Sequence, residues 1–273
     1  MKEGKFMNET PEKPYPVRLL QTGFHDCYYN MGLDEALLES AAQRGSLPVL
    51  RFYGWEPRAV SVGYFQGLEE EVDTHACKDR GVDVIRRITG GGAVFHHAEL
   101  TYSIILPSGH PLAGSSIHDS YRILCEGLIR GLALLGLRAR FAPINDILCG
   151  DRKISGNAQT RRMNAVLQHG TVLLDLDVDL MFSLLRVPEE KMKGRLIRDV
   201  KARVTSLRAQ GLSLGFGETE AAMIEGFRQA LDLEFAVPLS APAYPGGPAS
   251  AEDGRARELA VKRFASPEWL YKR

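Results

Sequence analysis

The sequence predicts an α+β fold, a mixed and largely antiparallel sheet flanked by helices. Three observations predict it. Apolar, β-branched runs come in neighbouring pairs, 49–53 with 59–64 and 93–96 with 100–106. Helical stretches fall between these groups and do not alternate with single strands, as a doubly wound sheet would require. A glycine-rich turn leads into a strand, whereas nucleotide loops of the dinucleotide and P-loop kinds open a helix.

Each element follows in order. Residues 1–16 are polar and proline-marked and read as a disordered arm, with no apolar stretch of the signal-peptide kind. Residues 17–21 read as a strand. Asn30 is the expected cap of a helix carrying Asp34, Leu37 and Leu38 and ending near Gly45. Strands at 49–53 and 59–64 precede a helix over 69–80 with an acidic first turn, stopped at Gly81. Strands at 82–87, 93–96 and 100–106 follow. The clearest helix is 116–135, where Tyr121, Leu124, Leu128, Leu132 and Leu135 form one stripe and Gly136 closes the end. Residues 144–148, 153–154 and 168–174 read as strands around tight turns. Short helices are expected at 177–185 and at 188–198, the latter opened by Pro188. Thr219 is the expected cap of a helix to Leu231. Residues 238–254, rich in Pro, Ala, Gly and Ser, read as a linker. A last helix, 255–264, leads to Ser266-Pro267-Glu268-Trp269. The expected organisation is one catalytic domain over 17–237, the linker, and a C-terminal helix within 255–273 packing back on that domain.

The bulk numbers exclude several classes. The 273 residues are 44% hydrophobic, enough for a substantial core without staples. Lys+Arg and Asp+Glu both number 34, so there is no global basic field for nucleic acid. No run is apolar enough to cross a bilayer, and no membrane partner is expected. Cys27, Cys77, Cys125 and Cys149 are scattered without metal or redox spacing, which fits a reduced, cytoplasmic setting.

Three segments carry chemistry. In Arg86-Arg87-Ile88-Thr89-Gly90-Gly91-Gly92-Ala93-Val94-Phe95-His96, glycines let backbone N–H groups approach an anion, and the arginines can hold a carboxylate or phosphate. A plain hairpin turn is the competing reading. In Asp151-Arg152-Lys153-Ile154-Ser155-Gly156-Asn157-Ala158-Gln159, a lysine precedes small residues that allow close approach of a ligand or backbone. An exposed hairpin lysine is the competing reading. In Gln168-His169-Gly170-Thr171, the histidine reads equally as structural or functional. His96 and His97 are adjacent on a strand and point to opposite faces, so they do not form a metal pair.

Together these segments resemble the lipoate–protein ligase A / octanoyltransferase family, related in fold to biotin–protein ligases. Further matches are Asn30–Leu38, Arg51–Trp55, Ser61–Gln66 and Asn145-Asp146-Ile147, in order from about residue 17 to the closing Ser-Pro-Glu-Trp. The resemblance implies a bent antiparallel sheet of the class II synthetase type. It implies a site in which Lys153 contacts the acyl carboxylate and α-phosphate. Arg87, Gly90, Gly91, Gly92, Ala93, Val94 and His96 would bind acyl group and nucleotide, with Asn145, Asp146, Ser155, Gly156 and His169 beside them. Asp146 is the implied Mg²⁺ ligand. The implied cofactors are ATP and Mg²⁺, with lipoic or octanoic acid as substrate and nothing bound covalently. The implied partners are lipoyl-domain acceptors, such as 2-oxoacid dehydrogenase subunits or the glycine-cleavage H protein, and an accessory subunit in place of a C-terminal domain.

Within the family, Asn145-Asp146-Ile147 matches the ATP-dependent ligases. The segment where octanoyltransferases carry a nucleophilic cysteine reads Leu137-Arg138-Ala139-Arg140-Phe141-Ala142-Pro143 and has none. Ligation is therefore the first expectation. Against it, the compact Glu99-Leu100-Thr101-Tyr102-Ser103 is similar to transferases that take octanoyl from a carrier protein, with Cys149 as the alternative nucleophile. A catalytically inactive lipoate-binding relative is the third reading; the joint retention of Arg87, the glycines and Lys153 speaks against it.

Overall fold

The structure is a computed structural model describing residues 13–43, 46–186, 197–199, 201–236, 243 and 246–272. Eleven strands are named among them: β1 (Tyr15–His25), β2 (Val49–Trp55), β3 (Ala59–Val62), β4 (Asp83–Arg86), β5 (Val94–His96), β6 (Glu99–Pro107), β7 (Ala139–Ala142), β8 (Asp146–Cys149), β9 (Arg152–Arg162), β10 (Ala165–Leu173) and β11 (Leu233–Phe235). Eight form one sheet in the order β11-β1-β2-β6-β10-β9-β8-β7, and three form a second, β4-β3-β5. Pairing is antiparallel except for β1 with β2 and β11, and β3 with β4. The expected mixed, largely antiparallel α+β architecture is present.

Alternation along the strands divides the core. Phe52, Tyr102 and Ile104 face one side of the large sheet, against Leu124, Leu128, Met223 and Phe227 of helix α4 (Ile117–Leu134) and the helix Phe216–Leu231. Their neighbours Tyr53 and Ile105 face the other side, against Leu33, Leu37 and Leu38 of helix α1 (Cys27–Ala41) and Leu259 and Phe264 near the C-terminus. A third cluster, Val60, Val62, Val72 and Cys77, lies under the small sheet.

Several boundaries differ from expectation for local reasons. Helix α1 is capped by Asp26, which accepts from the Tyr29 amide, not by Asn30. The Asn30 amide is buried and donates to the carbonyls of His25 and Gly54. The helix expected over 69–80 is two, Leu68–Glu71 and Thr74–Asp79, because Asp73 caps the second by accepting from Ala76. Gly215, not Thr219, caps Phe216–Leu231; the Thr219 hydroxyl, one turn in, donates back to the Gly215 carbonyl. The last long helix begins at Ser250, inside the stretch read as linker, and packs on α1. Residues 1–12, most of 188–198 and 237–242 lie outside the described residues, so the arm, that helix and the first part of the linker are not described.

Two helical glycines separate packing from propensity. A Cβ on Gly226 would fall on the backbone of Gly131, while one on Gly254 would meet nothing within 4 Å. Gly226→Ala should therefore destabilise the protein by about 1–3 kcal/mol, as overpacking does. Gly254→Ala should stabilise it by roughly 0.5–1 kcal/mol. Urea unfolding of the two variants checks both signs.

Candidate active site

The glycine turn links β4 to β5, so the glycines do feed a strand. Gly91 has φ +96°, a conformation that glycine adopts without strain. Gly63 lies so close to it that a Cβ there would fall on the Gly91 carbonyl. Arg87 holds the turn from inside. Its Nη2 donates to the carbonyls of Gly90 at 2.8 Å and Gly92 at 2.7 Å. Its Nη1 donates to the Ser61 carbonyl at 3.0 Å and the Ser61 hydroxyl at 3.1 Å. Arg87 thus shapes the turn, and its hydrogen bonds already go to protein. Burial lowers its pKa to about 10, which leaves it charged at neutral pH.

Arg86 has a different duty. Its Nε and Nη1 donate to the carbonyls of Leu270, Gly63 and Gln66, and Trp269 Nε1 donates back to the Arg86 carbonyl at 2.8 Å. The closing Ser-Pro-Glu-Trp segment is thereby fastened to the base of the turn.

Two buried relays of carboxylate, imidazole and hydroxyl flank the turn. Glu99 lies 2.6 Å from His96 Nδ1, and Ser61 Oγ lies 2.7 Å from His96 Nε2. The His96 ring stacks on Trp55, with centroids 3.9 Å apart. Asp34 lies 3.0 Å from His169 Nδ1, and Thr89 Oγ1 lies 2.7 Å from His169 Nε2. The ionised Asp34 carboxylate only accepts, so His169 Nδ1 carries a proton, and in the neutral ring Nε2 accepts from the Thr89 hydroxyl. Burial lowers the His169 pKa and keeps the ring neutral. Burial would raise Asp34, but the His169 hydrogen bond, Arg51 at 2.7 Å and Ser103 outweigh it and hold the pKa low.

Lys153 approaches from the opposite wall, on β9. Its Nζ lies 2.7 Å from Asp146 Oδ1, with both side chains partly exposed. Asn157 donates to the Asn145 carbonyl at 2.8 Å, and Asn145 Nδ2 donates to the Asn157 carbonyl, clipping the segment before β8 onto β9. Between the walls lies a cavity of about 310 Å³, at the small end of the range for ligand sites. Lys153, Arg87, Gly91, Gly92, Ala93, Val94, His96, Asn145, Gly156 and His169 line it, which brings most of the expected residues together. Gly90 and Ser155 do not line it; Gly90 accepts from Arg87, and Ser155 is buried. Residues not selected from the sequence also line it: Met31, Tyr53, Trp55, Thr101, Leu176 and Val204. Polar Arg51 and Thr101 among apolar neighbours mark the strands that carry Tyr53, Trp55 and Thr101, whereas nothing in the sequence marks Met31, Leu176 or Val204.

Cys149 does not line the cavity. Its side chain packs in the core with Ile147 and Ile154, and burial raises its thiol pKa. For Mg²⁺, the candidate carboxylate Asp146 already faces an ammonium, and among the described residues no group of three or more His, Cys, Asp or Glu side chains could hold a metal ion. Such a set fits only an ion brought mainly by nucleotide phosphates, with Asp146 as its one protein anion.

Fold and cavity together define an α+β domain with a largely apolar pocket that has a lysine and an arginine-held glycine turn at its head. The model of the lipoyl protein ligase A/B catalytic domain matches residues 26–228, and the chain belongs to this family. It is 35% identical to octanoyltransferase LipM of Geobacillus kaustophilus and 37% identical to that of Moorella thermoacetica, each over 94% of this chain and 98% of the relative. Among solved structures, it superposes with a TM-score of 0.82 on the bi-partite lipoate protein ligase of Thermoplasma acidophilum, at 32% identity over 95% of this chain and 97% of that one. A lipoate-protein ligase A bound with ATP gives a TM-score of 0.78 at 31% identity, over 94% and 98%. The curated relatives favour the transferase alternative over the ligase expected first, while the solved structures cited are ligases. Among the described residues, no helix is long and apolar enough to cross a membrane.

The buried histidines set a pH dependence. His110 is held down at about 4 by burial, and His169 is also lowered, whereas the unfolded chain protonates both near 6.5. The unfolded state therefore takes up more protons as pH falls below that value, and stability declines. Urea unfolding should show a lower midpoint at pH 5 than at pH 7, and His110→Gln should flatten part of that slope.

Proposed function

We propose that this protein transfers an octanoyl group from a carrier-protein thioester to a lysine of a lipoyl-domain acceptor. The observation that carries this reading is the cavity itself: one small apolar pocket whose head meets a lysine and an arginine-held glycine turn. Near-full-length likeness to octanoyltransferases supports the donor, as does the compact segment after the glycines, whose Glu99 orients His96.

In this reading the acyl tail lies along Met31, Leu173, Leu176 and Met181, and its carbonyl sits beside Lys153. The carbonyl oxygen gains negative charge as a nucleophile attacks, and a fixed ammonium stabilises that charge more than the ground state. Cys149 is the candidate nucleophile. Its thiolate would form a new thioester as the carrier thiol leaves, and the acceptor amine would then form the amide and release the thiol. With the thiol facing the core, this route requires the turn between β8 and β9 to open.

That same orientation favours a second reading, ATP-dependent ligation. Activation through an acyl-adenylate needs no cysteine, and Asn145 and Lys153 line the cavity, with Asp146 against the lysine amine, in the ligase-like pattern. The experiment is a donor panel on one apo lipoyl domain, read by mass spectrometry: octanoyl carrier protein without ATP against free octanoate or lipoate with and without ATP. Modification from the carrier alone, abolished in Cys149→Ser, is the expected result. Modification only from free acid plus ATP establishes ligation instead. Under either donor, Lys153→Ala should lower turnover by about 10²–10³, the size of one lost transition-state contact, while circular dichroism stays native.

A further inference from the structure

Lys153 occupies a berth built into the β8–β9 hairpin. The pairing register runs Ile147 to Ser155 and then Leu148 to Lys153, so Ile154 is an extra residue, a β-bulge. In a regular strand, residues three apart face opposite sides. The bulge breaks that alternation. Ile154 and Ser155 are both buried, and Ile154 joins the core with Ile147 and Cys149, while Lys153 and Gly156 both reach the cavity. Asp146 stands directly across from Gly156, and its carboxylate meets the lysine amine above it. A Cβ on Gly156 would stand 2.7 Å from Lys153 Nζ and 2.8 Å from its Cε. The lysine arm therefore lies back along its own strand, over the one residue with no side chain.

We propose that Gly156 and Asp146 are positioning residues: Gly156 provides the space in which the Lys153 arm lies, and Asp146 fixes the amine at its end, so that the ammonium faces the acyl carbonyl without searching rotamers. This deepens, and rests on, the reading of the cavity as an acyl-transfer site. It also gives Asp146 a duty that requires no metal.

The clash introduced by Gly156→Ala is with the far end of a flexible side chain, so the fold should tolerate it while the amine must move. The expected result is kcat lower by about 30-fold to 100-fold, KM for the acyl donor within about twofold, and an unchanged melting temperature; these sizes are set below the loss of the whole contact. Asp146→Asn should cost about tenfold in kcat. The double variant should be no slower than Gly156→Ala alone, because a displaced amine leaves Asp146 nothing to hold. Gly156→Ala with kcat within twofold of native, or losses that multiply in the double variant, would overturn the berth. Lys153→Ala, run beside them, separates the two ideas. If it is inactive while Gly156→Ala is not impaired, the berth alone is wrong; if Lys153→Ala turns over normally, the site reading itself is wrong.

Discussion

One carboxylate, Asp34, connects the scaffold to the site. It projects from α1 with no exposure to solvent and pairs with the equally buried Arg51 of β2. Ser103 of β6 and Tyr53 of β2 donate to it, and His169 of β10 does so through Nδ1. The Arg51 guanidinium is in turn satisfied by Thr22, by the carbonyl and side chain of Asn30, and by the face of Tyr53 at 3.8 Å. A buried ion pair whose remaining hydrogen bonds are met is tolerable; one that loses a partner leaves an uncompensated charge that costs about 3–5 kcal/mol. Four elements are thus held in one relative placement, and His169 extends the constraint to Thr89, immediately before the glycines.

The glycine turn is therefore fixed from two sides by different chemistry. On one side is the Asp34–His169–Thr89 relay. On the other, Glu99, His96 and Ser61 lead to Arg87, which grips the turn through two carbonyls. Glycines alone would give a loose loop, since they lose the most conformational freedom on ordering. The arginine and the two imidazoles remove that freedom from within the cavity wall, through hydrogen bonds made to the protein itself. The backbone can then approach a ligand closely and still hold one geometry, which is the preorganisation that electrostatic stabilisation of developing charge requires.

The parts of this arrangement that were legible in the sequence are those governed by local rules. The stripe of α4 and its closing Gly136 follow from helix periodicity and capping. The strands follow from the apolar runs but their partners do not, because 49–53 and 59–64 fall in different sheets, as do 93–96 and 100–106. Arg87, the glycines and Lys153 were recognisable because several motifs agree in order. What sequence alone did not disclose is set by pairing across elements. Nothing local marks Ile154 as a bulge, and without the bulge Lys153 would be assigned to the same face as Ser155. Nothing local separates the role of Arg86, which fastens Trp269, from that of its neighbour Arg87, which fastens the turn. Asp26 was passed over for Asn30, another residue type that can cap, and Asp73 because 69–80 read as one unbroken helix.

The same bulge accounts for the position of the cysteine. Ile147 and Cys149 alternate on β8 and both face the core, while the bulge on the partner strand turns Lys153 towards the cavity. The two groups that a thioester mechanism needs together are thus presented on opposite faces of one hairpin. Burial also keeps the thiol protonated, in the unreactive form. A turn of Gly150 and Asp151 joins the strands, and Gly150 sits at φ +59° with no contact that a Cβ would disturb. A tip so lightly packed is among the regions expected to open at low cost. Lys153, by contrast, is anchored by pairing on both sides, because its carbonyl accepts from the Thr205 amide at 2.8 Å while its own strand pairs with β8. Cys149 is held in the same way, paired with Ala139 of β7 and Arg152 of β9 and packed in the core, so the light packing is confined to the turn itself. Any chemistry that engages both thiol and amine must therefore break strand pairing at this hairpin.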